Sequence, residues 1–427
     1  MGGNRHSTGF YGWRVVAATF VLAMFGWGFG FYGPPILLHQ VQVARGWPVA
    51  TVAAAVTVHF LFGALVVANL PRLYVRFGIP AVTKAGALAL ALGLTGWAQA
   101  GEPWQLFVAA LVSGAGWVAM GAAAVNAIVA RWFVRRRPAA LAAAYNGASI
   151  GGVVFTPLLV AGIGWLGFGG AAAVAGIAMV AVVWVLADRV FARTPQGMGQ
   201  APDGDAPDAP AAAPTAADAR PLPGRLLWRD IRFLTLAAGM ALGLFAQAGL
   251  LAHLFSLLVP ALGAEGAGLA MGLATAAAIG GRTAVGLMMP AGSDRRLVAC
   301  ASYIVQIAGS LALVAAAGSS IPLLLLGVVM FGAGIGNATS LPPLIAQVEF
   351  AKQDSGRAVA LVVAISQATY AFAPLAFGLL RAGFGEAGGT APAVFLAAAA
   401  IQSAAIAAFL LGRRRHTAPR SVPARAA

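Results

Sequence analysis

The residue in this chain of 427 amino acids best placed to do chemistry is Arg282. It stands inside the apolar run 266–290, eight residues before Pro290, roughly 12 Å up a helix from that end. A charge at such depth in a bilayer costs about 2.5 to 3.5 kcal/mol on insertion scales, so it usually faces a cavity and serves function. All twelve acidic residues fall in loops or at helix ends, which leaves Arg282 with no carboxylate at its own depth. A buried cation without a counter-ion is expensive, and an anionic substrate can supply what the protein omits. A planar guanidinium grips a carboxylate through a two-pronged fork, so the expected partner is a small organic anion, most simply a carboxylate. The competing readings are a side chain that snorkels to the headgroups, or one that supports Asp294 in the following loop.

Other polar groups at membrane depth are candidate lining: Tyr145, Asn146, Gln247, Asn337, Gln367 and Tyr370. Each can donate a hydrogen bond to an anion in a dry site, and each can equally serve interhelical bonding. No Asp or Glu lies in the apolar runs to carry a proton. His59 and His253 titrate near neutral pH when unperturbed, which makes them candidates for proton linkage beside their plainer reading as hydrogen-bonded wall residues. Trp27 and Phe25 read as lipid- or core-facing. The single cysteine, Cys300, excludes an internal disulfide and a cysteine metal cluster, and its spacing from other groups suggests a small core residue. No catalytic pair of acids, metal-spaced His/Cys set or nucleotide loop appears, so neither an enzyme nor a cofactor is expected.

The elements that hold these residues follow from composition. With 60 % hydrophobic and 9 % charged residues, the chain carries far less charge than the roughly 25 % of soluble domains, so its solvent must be lipid. Apolar runs recur near 13–38, 49–70, 80–99, 104–130, 138–160, 165–187, 231–258, 266–290, 296–317, 321–347, 357–380 and 389–411. Each is long enough to cross a core about 30 Å thick, which predicts an all-α membrane protein of about twelve spans. The first run is too long for a signal-peptide core and is expected to stay. A formal charge of +15 raises the question of nucleic acid, but the basic residues fall in alternate loops. With the N-terminus inside, all but Arg45, Arg381 and Arg282 lie on the inner side, the pattern that places both termini in the cytoplasm of a cell, here inner, membrane.

Residues 193–221 are rich in Ala, Pro and Asp and nearly free of branched or aromatic side chains, which predicts a flexible connector between six helices and six. The expected units are a bundle at 1–190, a linker at 191–228, a second bundle at 229–412 and a basic tail at 413–427. The halves also repeat each other. VSGAG at 112–116 precedes Arg131–Trp132–Phe133 by the spacing at which MFGAG at 330–334 precedes Glu349–Phe350, and Pro157 matches Pro374 at nearly the same offset.

Paired six-helix halves with a long connector resemble the major facilitator superfamily. FYGWRVV (10–16), ARGW (44–47), RWFVRRRPAALAAAYNGASIG (131–151) and GRTAVGLMMPAGSDRR (281–296) are similar to the bacterial monocarboxylate transporter and oxalate:formate antiporter group. The resemblance implies a secondary transporter that binds its substrate between two rocking halves, with the eighth-helix arginine on the substrate carboxylate. It also implies a loop latch of Asp294, Arg295 and Arg296, whose first-half copy keeps Arg76 and Gly78 but has Val75 in place of the acid. Animal-type relatives pair the arginine with an acid one turn earlier and a first-helix lysine, where this chain has Ala278 and no lysine. The oxalate antiporter adds an eleventh-helix lysine, where this chain offers Ser366, Gln367 and Tyr370. One fixed positive charge balances a monocarboxylate better than a dicarboxylate such as oxalate, and the carrier is expected to function as a monomer. Efflux of hydrophobic compounds is the alternative, although Thr156 replaces the glycine that drug antiporters carry before the fifth-helix proline.

Overall fold

In lipid every backbone N–H and C=O must be paired within the chain, which leaves apolar runs of this length the helix as their solution. The computed structural model describes residues 10–134, 136–204, 224–289, 293–350, 352–384 and 391–413, and these form helices with no strand among them. In order they are α1 (Gly12–Gly30), α2 (Pro34–Arg45), α3 (Val49–Gln99), α4 (Pro103–Met120), α5 (Ala122–Ala130), α6 (Arg137–Leu186), α7 (Gly224–Leu227), α8 (Ile231–Met288), α9 (Arg295–Ala316), α10 (Ile321–Glu349), α11 (Lys352–Tyr370), α12 (Ala373–Phe384) and α13 (Pro392–Leu411).

Three of these are too long for one crossing: α3, α6 and α8 have 51, 50 and 58 residues, or roughly 75 to 87 Å at 1.5 Å each. Each bends back at a glycine in a backbone conformation that other residues rarely adopt: Gly78 (φ 79, ψ 156), Gly167 (φ 70, ψ 170) and Gly263 (φ 68, ψ 172). Conversely, α1 with α2, α4 with α5, and α11 with α12 are single crossings broken in the middle. Division at the three glycines gives twelve spans, the expected number. The breaks at 31–33, at Gly121 and at 371–372 were not visible as interruptions of apolarity, because the residues there are themselves apolar or small.

Three large apolar cores and a small cluster of Leu70, Val82 and Ala119 fill the bundle. One is built almost wholly from residues 11–191 and another from 227–409. The third joins the two halves, with Tyr32, Ile36, Leu159, Val160 and Ala171 packed among Leu250, Phe255, Met271 and Phe377. This seam lies at the end of the bundle away from the arginine-rich loops. Toward those loops the halves part: α5 and α10 pack substantially only on helices of their own half, among the described residues.

Two sequence expectations change. Arg381 is not a loop residue; it is 7 % exposed near the end of α12, and its Nη1 donates to Ser256 Oγ at 2.6 Å. It packs on the seventh span, while Arg45 remains exposed at that end, with Nε on the Ala100 carbonyl at 2.7 Å. The connector is also ordered for longer than its composition suggested. Asp203 accepts from the backbone N–H groups of Val134 and Arg136, both at 3.1 Å, and its own N–H donates to the Trp132 carbonyl at 2.9 Å. Gln200 Oε1 accepts from Tyr11 N–H at 3.1 Å, so residues 194–204 strap the start of the chain to the 131–136 loop. A few polar contacts to backbone outweigh poor composition here. The rest of the expected linker, 205–223, and the tail beyond 413 lie outside the described residues.

Candidate functional site

Arg282 leans from the eighth span onto the tenth. Its Nε donates to the Gly336 carbonyl at 3.3 Å, and Asn337 Nδ2 donates back to the Gly281 carbonyl at 3.4 Å. Glycine at 336 makes the approach possible, since a Cβ there would stand 2.6 Å from the Ala278 carbonyl and 3.0 Å from Arg282 Nε. The side chain is half-buried, neither sealed in nor turned out to the headgroups. The ion pairs among the described residues are Lys84 with Asp188, Arg232 with Asp230, Arg296 with Glu349 and Arg413 with Asp294, so no carboxylate neutralises Arg282 there. Both Nη atoms are left without a protein acceptor among the described residues, and Tyr32 of the first span lies within electrostatic reach.

The facing helix can be placed by a shared crossing point. A Cβ on Gly152 of the fifth span would stand 2.7 Å from Thr275 Cγ2 and 2.8 Å from Tyr32 Cδ2, so the fifth and eighth spans touch there. Tyr145 and Arg282 each lie seven residues from that crossing toward the arginine-rich end, about 10 Å along their helices. They therefore stand at one depth, one on each half, on the side of the crossing where the halves part. The Tyr145 hydroxyl, expected to donate to an anion, is already committed: it donates to the Ala122 carbonyl at 3.2 Å and accepts from Asn126 Nδ2 at 2.6 Å. What Tyr145 offers the cleft is its ring, which meets Trp27 edge-on at 5.8 Å.

The other expected lining residues divide. Asn146 is exposed on the fifth span, and Gln367 and Tyr370 are half-buried on α11, with the Tyr370 ring 5.8 Å from Phe60 of the opposite half. Gln247 and Asn337 are buried, and Gln247 Oε1 and Asn337 Oδ1 have no hydrogen-bond partner among the described residues. The histidines stand apart from Arg282. His59 Nε2 donates to the Gly30 carbonyl at 2.9 Å, and Nδ1 meets Ser113 Oγ at 2.8 Å, a hydroxyl that also accepts from Trp97 Nε1. That ring pins the first, second and fourth spans together. His253 Nε2 donates to the Pro374 carbonyl at 2.9 Å, within the packing of the seventh span on the eleventh.

At the arginine-rich end, Arg76 lies over the Phe77 ring beside the bend at Gly78. Asp294 caps α9 through the N–H groups of Arg296 and Leu297 and pairs with Arg413 at 2.5 Å, not with Arg282. Burial pushes its carboxyl up, but the bonds from Arg413 and the two amides outweigh this and hold it below the usual carboxylate range. Arg295 Nη1 donates to the Leu344 carbonyl at 2.7 Å, and Arg296 forms a two-pronged pair with Glu349 at 2.6 and 2.8 Å. The sequence reading did not single out Tyr32 or Thr275, and it took Trp27 as lipid- or core-facing. The signal for the first was Phe31–Tyr32–Gly33–Pro34–Pro35, a helix break deep in an apolar run.

The profile of the Major Facilitator Superfamily matches residues 15–348. The chain belongs to this superfamily. The transporter also superposes on the nucleoside transporter NupG with a TM-score of 0.73 at 13 % identity, covering 93 % of this chain and 99 % of that one. A bacterial homolog of the human lysosomal transporter Spinster, solved in an inward-facing and occupied conformation, gives 0.66 at 14 % identity, covering 95 % and 97 %. At such identities these likenesses speak to the fold alone. No curated protein matches the sequence.

Proposed function

We propose that this superfamily transporter carries a small organic anion, most simply a monocarboxylate, by alternating access, with Arg282 as the group that binds the carboxylate. The single observation behind this is a half-buried guanidinium whose two Nη atoms meet no protein acceptor and which faces no acid among the described residues. A carboxylate completes that fork at a charge balance of one to one, which favours a monocarboxylate over a dicarboxylate. Asn337, on the same pair of helices, is the nearest candidate second donor, while Gln367, Tyr370, Asn146 and Gln247 are further candidate lining. Efflux of uncharged hydrophobic compounds, the alternative, gives the guanidinium no use and leaves its insertion cost unrecovered.

The charge distribution supports both termini on the cytoplasmic side of a bacterial-type inner membrane, and the transporter is read as a monomer of two six-helix halves. On that orientation the cleft opens to the cytoplasm. Neither histidine belongs to the Arg282 cluster, which favours exchange, uniport, or entry of a proton on the substrate itself over a relay through His59 or His253.

The test is uptake of a panel of labelled monocarboxylates into liposomes holding the purified protein. Arg282→Ala is expected to abolish uptake, and Arg282→Lys to weaken binding by roughly 10- to 100-fold, the worth of charge-assisted hydrogen bonds of about 1.5 to 3 kcal/mol. Full uptake by a folded Arg282→Ala variant would defeat the proposal. Repeating the assay with and without a pH gradient, and with and without internal carboxylate, separates symport from exchange.

A further inference from the structure

The cleft is two-faced. Its second-half wall presents the Arg282 cation, and its first-half wall presents rings. Trp27 and Phe31 are half-buried and pack against both the first-half core and the seam core, and Tyr370 packs against the cores of both halves. Trp27 stands edge-on to Trp117 at 5.0 Å and to Tyr145 at 5.8 Å. Phe31 continues the rank to Phe60 at 6.0 Å, and Phe60 to Tyr370 at 5.8 Å. Tyr145 and Arg282 are equally far from the Gly152–Thr275 crossing, while Trp27, beside Gly28 at the level of Gly151 and Phe155, joins that depth through its ring contact with Tyr145. The Tyr145 and Trp27 rings are therefore apolar faces opposite a cation, with the one hydroxyl already spent on Ala122.

The geometry points to a monocarboxylate with an apolar body about the size of a ring, its carboxylate on Arg282 and its body against Trp27, as the substrate class. An acetate-sized anion on Arg282 does not extend to the Trp27 ring, whereas such a substrate touches both. A ligand moves a two-state equilibrium only through interactions that differ between the states. Contact with both walls supplies that difference as the cleft closes, and it makes Trp27 the residue that determines specificity. The inference rests on the carboxylate reading of Arg282, yet it concerns a different residue and a different part of the ligand.

Binding of benzoate, cyclohexanecarboxylate, acetate and the neutral analogue benzamide to the purified full chain, by calorimetry, tests it. Benzoate and cyclohexanecarboxylate are expected to bind at least about tenfold more tightly than acetate, as burial of a ring-sized apolar surface requires. Trp27→Ala should collapse that gap while leaving acetate unchanged, and Trp27→Phe should keep most of it, which guards against a variant that merely fails to fold. Equal affinity for acetate and benzoate, or an equal loss of both in Trp27→Ala, overturns the inference. A benzamide affinity matching benzoate's, or benzoate binding that persists in Arg282→Ala with its Trp27 dependence intact, overturns the carboxylate reading and leaves the aromatic wall standing.

Discussion

At the scale of single residues, the sequence drew attention to Asp294 as the acid of the loop latch, but the structure gives the larger part to Glu349. Arg296 is 1 % exposed and uses all five of its N–H groups: Nε and Nη2 on Glu349, Nη2 also on the Arg232 carbonyl at 2.8 Å, and Nη1 on Thr235 Oγ1 and the Phe409 carbonyl. One side chain thereby ties the seventh, ninth, tenth and twelfth spans. Removing the partner of such a buried ion leaves the charge uncompensated, so Glu349→Ala should cost about 3 to 5 kcal/mol. The Asp294–Arg413 pair is more open, at 33 % and 45 % exposure, and Asp294→Ala should cost about 1 kcal/mol, mostly as a lost helix cap. Thermal melting in detergent checks the ranking, and equal losses would refute it. Arg296 was legible from its motif; its partner was not, because Glu349 is 53 positions away and only the packing of α9 on α10 brings them together.

At the scale of elements, glycines do two separate jobs that a sequence cannot tell apart. Gly151 lets the fifth span lie against the first, where a Cβ would collide with the Met24 carbonyl. Gly263 has nothing within 4 Å of where a Cβ would stand, but its φ of 68 and ψ of 172 let α8 reverse. Gly263→Ala should therefore cost about 1 to 3 kcal/mol through the backbone alone, with transport kept once the protein is folded. Gly151→Ala must instead separate two helices that flank the cleft, so it should lower both the melting temperature and the uptake rate. Paired melting and uptake measurements distinguish the two, and loss of transport in folded Gly263→Ala would show that the reversal itself moves. The twelve spans were legible because apolarity over twenty residues leaves the helix as the answer. The breaks at Gly121 and 371–372 were not, since lipid-compatible residues interrupt helices without interrupting hydrophobicity.

At the scale of the whole molecule, the depth of Arg282 could be counted from Pro290, but the closed seam could not, because it joins residues more than a hundred positions apart. Arg381 shows the same effect of distance: its position in the chain suggested a loop, and its burial came from packing of the eleventh span on the seventh, where Ser256, 125 positions away, accepts from it. If alternating access works by opening that seam, locking it must stop transport without touching the Arg282 side of the cleft. Val160 and Gly268 face each other there, and a Cβ at 268 would stand 3.1 Å from Val160 Cβ, a few tenths below the roughly 3.5 to 4.5 Å that a disulfide spans. Because Cys300 is the only native thiol and is buried, a Val160→Cys, Gly268→Cys double variant offers a defined pair. Oxidation should cut uptake by at least tenfold and reduction should restore it, while binding of a carboxylate to the oxidised protein in detergent persists, since the cleft is open at the other end. Uptake that continues in the cross-linked protein would mean that the seam does not part during transport. Loss of binding on oxidation would mean that the Arg282 site is reached only when it does.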